Sequence, residues 1–228
     1  MGPGPPDRPI KNQRLAMSDA DYQIYLASRS PRRRELLDQI GVRFAVVEAD
    51  TDETRLPGEQ PEDYVLRVAA DKARAARAAL PRSDHRPVLG ADTAVVVGEL
   101  ILGKPDDRED ALAMMRLLSG RAHRVLTAVA LIADDGERTD LSETRVTFRT
   151  LDEDEVLRYW RTGEPRDKAG GYGIQGYGAL FVSGLNGSYS GVMGLPLFET
   201  GRLLAQVGIE VIPGDLGIAG LGAPEVPA

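Results

Sequence analysis

Cysteine is absent from this chain of 228 residues, and histidine occurs only twice, at His85 and His123. Without cysteine there can be no disulfide bond, no thiolate zinc site and no cysteine nucleophile. The two histidines lie too far apart along the chain for an HExxH zinc pair, so we interpret each as a surface or packed imidazole. Thiol chemistry and the common zinc motifs are therefore excluded.

Long apolar runs are also missing, because no stretch approaches the about 18 residues that a membrane span requires and no basic-then-apolar leader is present. We expect no membrane partner, no secretory signal and a cytoplasmic location. The chain has 28 basic and 35 acidic residues, a net charge of −7 and a pI near 5.0. This balance argues against a nucleic-acid partner, so any phosphate must be met by a local cluster of cations.

The remaining composition, 42% hydrophobic, is sufficient for one compact unit with a sizeable core and a cleft. Residues 1–21 are rich in proline and lack an apolar period, which predicts a disordered N-terminal extension. Residues 213–228 repeat glycine, alanine and proline and predict a flexible C-terminal tail. No repeat or linker divides residues 22–212, which we interpret as one domain.

Hydrophobic periodicity and turn signals predict alternating strands and helices across residues 22–212. Ser30 is expected to cap a helix that starts at Pro31 and stops at Gly41, and Thr150–Glu153 resembles a capping box. Asp135-Gly136 is expected to be the turn of a hairpin. The expected strands are 24–27, 44–47, 88–97, 100–102, 125–132 and 141–148, and the expected helices are 31–40, 61–79, 110–118, about 150–162 and one entered at Leu195-Pro196. This order predicts an α/β fold with a mixed, partly antiparallel twisted sheet flanked by helices.

A phosphate site is indicated at Ser28-Arg29-Ser30-Pro31-Arg32-Arg33-Arg34. Hydroxyls and guanidinium groups there meet a strand-to-helix junction, where free backbone N–H groups and the helix dipole favour an anion. The alternative is a capped helix with solvated arginines.

Asp92 stands inside the otherwise apolar strand Leu89–Val95. A buried charge is costly unless it is paired, hydrated or bound to a metal, so Asp92 is a candidate functional residue. The alternative is an edge-strand aspartate that faces solvent. Lys104, at the close of the same hairpin, can return toward Asp92 or toward a phosphate.

Gly171-Tyr-Gly173-Ile-Gln-Gly176 matches the G-x-G-x-x-G string of dinucleotide-binding folds. That motif needs a strand before it and a helix after it, but residues 167–169 are not apolar and residues 180–182 resemble a strand. A dinucleotide site is therefore disfavoured. The glycines allow close approach of backbone to a ligand, and Gln175 offers a donor and an acceptor to a base edge; ordinary turns are the alternative.

Taken together, these segments resemble the successive blocks of the Maf family over about residues 24–207. The matching blocks are Ala27-Ser-Arg-Ser-Pro-Arg-Arg33 with Glu35-Leu-Leu37, Asp71-Lys-Ala73, Gly90-Ala-Asp-Thr93, Lys104-Pro105, Leu118-Ser-Gly120, Asp167-Lys-Ala-Gly170 with Tyr172-Gly-Ile-Gln-Gly176, and Asn186-Gly-Ser188. No single block is decisive, but their order makes the resemblance specific.

The resemblance implies a nucleotide pyrophosphatase, with two lobes around a central cleft as in Maf and ITPase proteins. It implies cleavage of a nucleoside triphosphate to the monophosphate and pyrophosphate, a divalent cation (Mg²⁺ or Mn²⁺), a cytoplasmic location and often a homodimer. The family has also been associated with septum formation, so a nucleotide-binding regulator of cell division stays open as an alternative. A dehydrogenase is more distant.

The resemblance also implies residue roles. Asp92 takes the position of the general base that activates water for attack on the α-phosphorus. The positions that bind phosphate hold Ser28, Arg33, Lys72 and Lys104, with Lys104 also counted as catalytic, and Glu53 takes an acidic position near the metal beside Asp92.

Base preference in the family follows the positions that hold Arg32, Thr93 and Gln175 here, and this set resembles the branch that acts on dTTP and UTP rather than on 7-methyl-GTP. A modified pyrimidine nucleotide stays open as an alternative substrate. Arg29 departs from the family pattern, which has a small residue there. Nearby cations would lower the pKa of Asp92 unless burial opposes them, so Asp92 is expected to act together with the metal.

Overall fold

The structure is a computed structural model that describes residues 22–48 and 50–212. The N-terminal extension (1–21) and the tail (213–228) lie outside the described residues and stay predictions. Within the described ranges, every helix is too short or too polar to cross a bilayer.

A mixed 7-stranded sheet forms the centre of the molecule. Its strands are β1 (Ile24–Ala27), β2 (Phe44–Val46), β3 (Val88–Val97), β4 (Leu100–Leu102), β5 (Ala122–Ala133), β6 (Gly136–Phe148) and β7 (Val182–Asn186). The order is β2-β1-β3-β5-β6-β7, with β4 paired to β3. Strand β1 runs parallel to β2 and β3, while the other pairs are antiparallel. The expected α/β class with a partly antiparallel sheet is confirmed.

Six α-helices and several 3₁₀ helices surround the sheet in the described part of the chain. The α-helices are α1 (Pro31–Gln39), α2 (Pro61–Ala79), α3 (Arg108–Leu118), α4 (Glu153–Arg161), α5 (Tyr189–Met193) and α6 (Leu197–Ala205). The 3₁₀ helices Glu164–Asp167, Ala169–Gly171 and Tyr177–Phe181 occupy most of the glycine-rich region. Pro31 begins α1 as expected, and Gly41, at φ 71°, follows its end.

Two expected helix caps are wrong in detail. Ser30 holds the N-cap position of α1, but its side chain makes no capping bond. Helix α4 begins at Glu153 rather than Thr150, because the Asp152 carboxylate accepts a hydrogen bond from Glu155 N. Aspartate two residues downstream therefore supplies the cap that the sequence pattern assigned to threonine.

The β5–β6 hairpin is longer than expected, and its turn is Asp134-Asp135, since Ala133 pairs with Gly136. Periodicity missed the first half of β6 because that half is polar. Ion pairs hold it instead: Glu137 pairs with Arg74 at 2.7 Å, and Asp140 pairs with Arg202.

Alternation along β3 and β5 divides the core between the two faces of the sheet. Val88, Ala94 and Val96 pack against the alanine-rich side of α2. On the opposite face, Leu89 and Ala91 join a core that includes Leu36, Leu37, Leu203 and Leu204, whereas Val95 and Val125 join a second core that includes Met115 and Val156. Thr93 of β3 and Thr127 of β5 lie between these two cores, and this division gives the expected two lobes.

Gly90 brings α2 directly onto β3. A Cβ at this position would lie 2.3 Å from Ala69 O and 2.9 Å from Ala73 N, so only glycine fits. Lys72 and Asp92 lie within three residues of this contact, on the facing elements. Close packing of backbone on backbone therefore sets their separation.

Candidate active site

A cleft of about 970 Å³ opens between the lobes, and all the site residues indicated by the sequence line it. They are Ser28, Arg32, Arg33, Glu53, Lys72, Asp92, Thr93, Lys104 and Gln175. Residues separated by up to 147 positions in the chain are thus brought to one place.

Asp92 lies on the floor of this cleft and is only 6% exposed. Among the described strands, β3 pairs at Asp92 only with β5, because β1 pairs with residues 88–90 and β4 with residues 95–97. The alternative of an aspartate that faces solvent is nevertheless wrong, because Asp92 is buried. Lys72 Nζ lies 2.7 Å from Asp92 Oδ1 and 2.9 Å from Glu53 Oε1. The buried carboxylate is therefore paired, and one ammonium group joins it to the second acidic residue.

Burial raises the pKa of Asp92 above its usual value, and the positive charges of Lys72 and Arg33 oppose this rise without cancelling it. Asp92 is consequently a stronger base than an exposed carboxylate. Burial, with the charges of Asp92 and Glu53, also raises the pKa of Tyr64 to about 12. Tyr64 lines the same cleft and stays protonated at neutral pH.

Arg33 connects the β1–α1 junction to the rest of the cleft. Its Nε donates to Gly194 O at 2.7 Å, its Nη1 to Ser28 Oγ at 3.1 Å and its Nη2 to Thr93 Oγ1 at 3.3 Å. Burial lowers the pKa of Arg33, but a guanidinium group remains charged in proteins. A fixed positive charge is thus held by three neutral acceptors, none of which cancels it.

Thr127 is a buried member of the site that sequence reasoning missed. Its Oγ1 lies 2.8 Å from Gly191 O and 3.0 Å from Thr93 Oγ1. A hydroxyl has one proton, so when Thr127 donates to Gly191 O, Thr93 donates to Thr127 and accepts from Arg33. Threonine inside an apolar strand was the available signal, but threonine is common in strands.

The remaining site residues lie at the rim. Arg32 Nη1 is 3.4 Å from Asp167 Oδ2, and Lys168 Nζ is 2.7 Å from Asp167 Oδ1. Lys104 and Gln175 are exposed, and neither forms a side-chain hydrogen bond or ion pair with any residue in the described ranges. Their polar groups are free to meet a ligand.

Arg29, which departs from the family pattern, is paired with Glu48 and Asp50, each at 3.0 Å. All three side chains are well exposed. The additional positive charge is therefore compensated at the rim and leaves the buried site unchanged.

The glycine-rich string at 171–176 has no dinucleotide-binding geometry. It follows the 3₁₀ helices Glu164–Asp167 and Ala169–Gly171 and precedes another 3₁₀ helix and β7. A strand, glycine loop and α-helix in succession would be required. The string is therefore not a dinucleotide-binding motif, and the feature that suggested a dehydrogenase is removed.

Glu53 and Asp92 are two acidic side chains of the cleft that share one neighbour, Lys72. Their carboxylate oxygens converge on one point, which Lys72 Nζ occupies. Across residues 22–48 and 50–212, no group of three or more histidine or acidic side chains could hold a metal by itself. Two carboxylates together with substrate phosphate oxygens are a usual ligand set for Mg²⁺, so the residues present fit such an ion.

Comparisons with known proteins identify a family model and several relatives that match most of this chain. The family model described as Maf-like protein matches residues 23–207. A protein of Alkalilimnicola ehrlichii named dTTP/UTP pyrophosphatase is 57% identical over 190 residues, covering 82% of this chain and 94% of that protein. One from Saccharophagus degradans with the same name is 54% identical over 187 residues, covering 82% and 89%. Among solved structures, the Ham1 protein of Staphylococcus aureus aligns with a TM-score of 0.40 and 17% identity over 55% of this chain and 71% of that one.

Proposed function

This chain belongs to the Maf family, and on that premise we propose that it is a nucleoside-triphosphate pyrophosphatase that hydrolyses dTTP and UTP to the monophosphate and pyrophosphate. The observation that carries the proposal is the buried, raised-pKa carboxylate of Asp92 beside several cations in one cleft. Relatives with this name share more than half of their aligned residues with the chain.

In the proposed reaction, Asp92 accepts a proton from a water molecule whose oxygen attacks the α-phosphorus. The bond from the α-phosphorus to the bridging oxygen breaks, and that oxygen leaves with pyrophosphate. Arg33, Lys72 and Lys104 stabilise the negative charge on the phosphoryl oxygens and on the leaving group. Arg33 is held in place before substrate arrives, which reduces the cost of reorganisation.

We propose that Glu53 and Asp92 hold a Mg²⁺ or Mn²⁺ ion together with the triphosphate. When bound, such an ion neutralises phosphate charge and increases the acidity of coordinated water. Lys72 contacts both carboxylates, so an ion held by Glu53 and Asp92 would take the place of its ammonium group, which would then be available to a phosphate.

Arg32 and Gln175, at the rim of the cleft, recognise the base in this proposal. Thr93 contributes indirectly, through its hydrogen bond with Arg33. The free amide of Gln175 can donate and accept at a pyrimidine edge. Thr93 is occupied by Arg33 and Thr127, so its contribution is to fix the guanidinium group.

We also propose a cytoplasmic homodimer that has no nucleic-acid or membrane partner. The lack of cysteine fits a reducing compartment, and the net charge of −7 disfavours a polyanionic partner. Large exposed apolar side chains such as Tyr177, Leu180 and Phe198 could be covered by a second copy. Sedimentation velocity would test the oligomeric state.

Hydrolysis of dTTP in ¹⁸O-labelled water tests the reaction itself. The expected products are dTMP and pyrophosphate, with the label in dTMP, because water attacks the α-phosphorus. Release of inorganic phosphate and dTDP, or label in pyrophosphate, would contradict the proposal.

A further inference from the structure

The loop Gly173–Gly178, which carries Gln175, is folded around the carboxylate of Glu164. Tyr177 N donates to Glu164 Oε2 at 2.8 Å, and Gly178 N donates to Glu164 Oε1 at 3.0 Å. Glu164 lies in the 3₁₀ helix before the loop and lines the cleft. The local sequence around Glu164 does not indicate a role for it.

Tyr159 fixes the other end of the loop through the same carboxylate. Its hydroxyl donates to Glu164 Oε1 at 2.9 Å and accepts from Gly173 N at 3.1 Å. Burial raises the pKa of Tyr159, so the hydroxyl keeps the proton that it donates. The backbone N–H groups of Gly173, Tyr177 and Gly178 are thus all tied, directly or through one hydroxyl, to Glu164.

Gly176 lets this loop pack directly on Glu164, and Gly173 and Gly178 make other close contacts. A Cβ on Gly176 would lie 2.2 Å from Glu164 Oε2, and one on Gly173 would lie 3.1 Å from Glu164 Oε1. A Cβ on Gly178 would lie 2.6 Å from Gly173 O. Gly176 thus allows the backbone to approach a protein carboxylate, whereas a Cβ on Gly173 would first meet Lys168 Cε at 2.7 Å.

Gln175 is held only through this backbone. Its neighbour Ile174 is buried in the core of one lobe, while Gln175 itself is exposed at the cleft. Its amide has no hydrogen-bond partner in the described part of the chain. Its position therefore depends on the bonds between Glu164 and the loop.

We propose that Glu164 is the positioning residue for nucleobase recognition, holding the loop so that Gln175 presents its amide to the base edge; this inference rests on the proposed function. A carboxylate is suited to the role because it accepts several hydrogen bonds and donates none. Glutamine in its place would turn an NH₂ group toward one of the N–H or O–H donors. That mismatch would loosen the loop while leaving Asp92, Arg33 and Lys72 in place.

The test compares Glu164→Gln with wild type in kcat and KM for UTP and for GTP as a purine control. We expect KM for UTP to rise about tenfold, kcat to change less than about twofold and the preference for UTP over GTP to fall. Glu153→Gln is the matched control, because Glu153 is exposed and pairs with Arg116 away from the loop. In a Gln175→Ala background, Glu164→Gln should not reduce the preference further.

Equal losses for UTP and GTP, or a loss confined to kcat, would show a merely structural role and overturn the inference. Tyr159→Phe removes one link of the network and should give a smaller effect of the same kind, which keeps the test valid if Glu164→Gln folds poorly.

Calorimetric binding of UMP and GMP separates the proposed function from the proposed role of Glu164. A protein that hydrolyses no triphosphate, yet binds UMP over GMP only with Glu164 intact, would contradict the proposed function and support the inference. The inference would be overturned if wild type did not prefer UMP over GMP, or if Glu164→Gln kept the preference of wild type.

Discussion

At the scale of single residues, opposing influences act on the carboxylate of Asp92. Burial alone would favour its neutral form, while Lys72 at 2.7 Å and the nearby Arg33 favour the charged form. The net effect is a raised pKa together with a paired carboxylate. A carboxylate with a raised pKa accepts a proton more readily than an exposed aspartate, which favours water activation.

Asp92→Asn should therefore abolish turnover without abolishing binding. Asparagine keeps the shape of the side chain but cannot accept the proton, and loss of a general base costs about 10²–10⁴-fold in rate. The measurements are kcat for dTTP and calorimetric affinity for a non-hydrolysable dTTP analogue. Lost binding with normal residual turnover would contradict the assigned role.

Thr127→Val should weaken the fold and the binding of triphosphate together. The change removes the hydroxyl that joins Thr93 to Gly191 O, and a lost hydrogen bond costs about 0.5–1.5 kcal/mol because Gly191 O still accepts from Gly194 N at 2.9 Å. Urea unfolding and KM for UTP measure the two effects. Thr139→Val, at an exposed position of β6, is the matched control and should change neither.

Residue chemistry made most of the site predictable. Asp92 is recognisable as a charged residue within an apolar strand. Arg32 and Arg33 are recognisable because they lie where a strand is followed by the start of a helix, which favours anion binding. Thr127 and Glu164 were missed because their residue types are ordinary in their local context. Their roles arise only from hydrogen bonds to segments 64 and 14 residues away in the chain.

At the scale of elements, the placement of α2 on β3 depends on Gly90. Gly90→Ala should destabilise the protein by about 1–3 kcal/mol, because the added methyl group overlaps Ala69 O. It should also reduce kcat, since displacement of α2 moves Lys72 away from Asp92. Gly201→Ala is the control: nothing lies near its Cβ in α6, and it should stabilise by about 0.5–1 kcal/mol. Equal stability of Gly90→Ala and wild type would contradict this account.

His123 makes the stability of the β5 region dependent on pH. It is buried beside Phe148 and Tyr172, and burial lowers its pKa to about 4. Below pH 6.5 the unfolded state binds a proton that the folded state excludes, so stability falls as the pH decreases from 6.5 toward 4. We expect the free energy of unfolding to be about 2 kcal/mol lower at pH 5 than at pH 7 from this group alone.

Urea unfolding at both pH values measures this loss. His123→Phe should remove most of it, whereas His85→Gln, at the exposed histidine paired with Asp134, should not. A wild-type loss that His123→Phe leaves unchanged would contradict the assignment to His123.

The types of the elements were predictable, but several of their ends were not. Helix α4 begins at Glu153 because Asp152, not Thr150, captures a free N–H group. The polar half of β6 is a strand because of its ion pairs, which lie outside any local window of sequence.

At the scale of the whole molecule, an acidic protein concentrates cations in one cleft. The net charge is −7, yet Arg32, Arg33, Lys72 and Lys104 line the same space. Seven acidic side chains line the cleft as well, so we expect a triphosphate to be bound by the placement of these individual cations and not by an excess of positive charge. The acidic surface as a whole discourages long polyanions. The sequence predicted the class of fold and, through the family resemblance, the cleft. It did not predict the strand order or the division of one sheet face into two lobes, because both depend on the pairing of segments that are distant in the chain.

The decisive measurement is pyrophosphate release by the purified protein across canonical and modified nucleoside triphosphates with Mg²⁺ or Mn²⁺. It tests whether the protein is a metal-dependent pyrophosphatase that prefers pyrimidine nucleotides. We expect dTTP and UTP, or modified pyrimidine counterparts of them, to give the highest kcat/KM, and we expect activity to require the metal. Tight nucleotide binding without hydrolysis of any triphosphate would contradict this expectation and would favour a nucleotide-binding regulator.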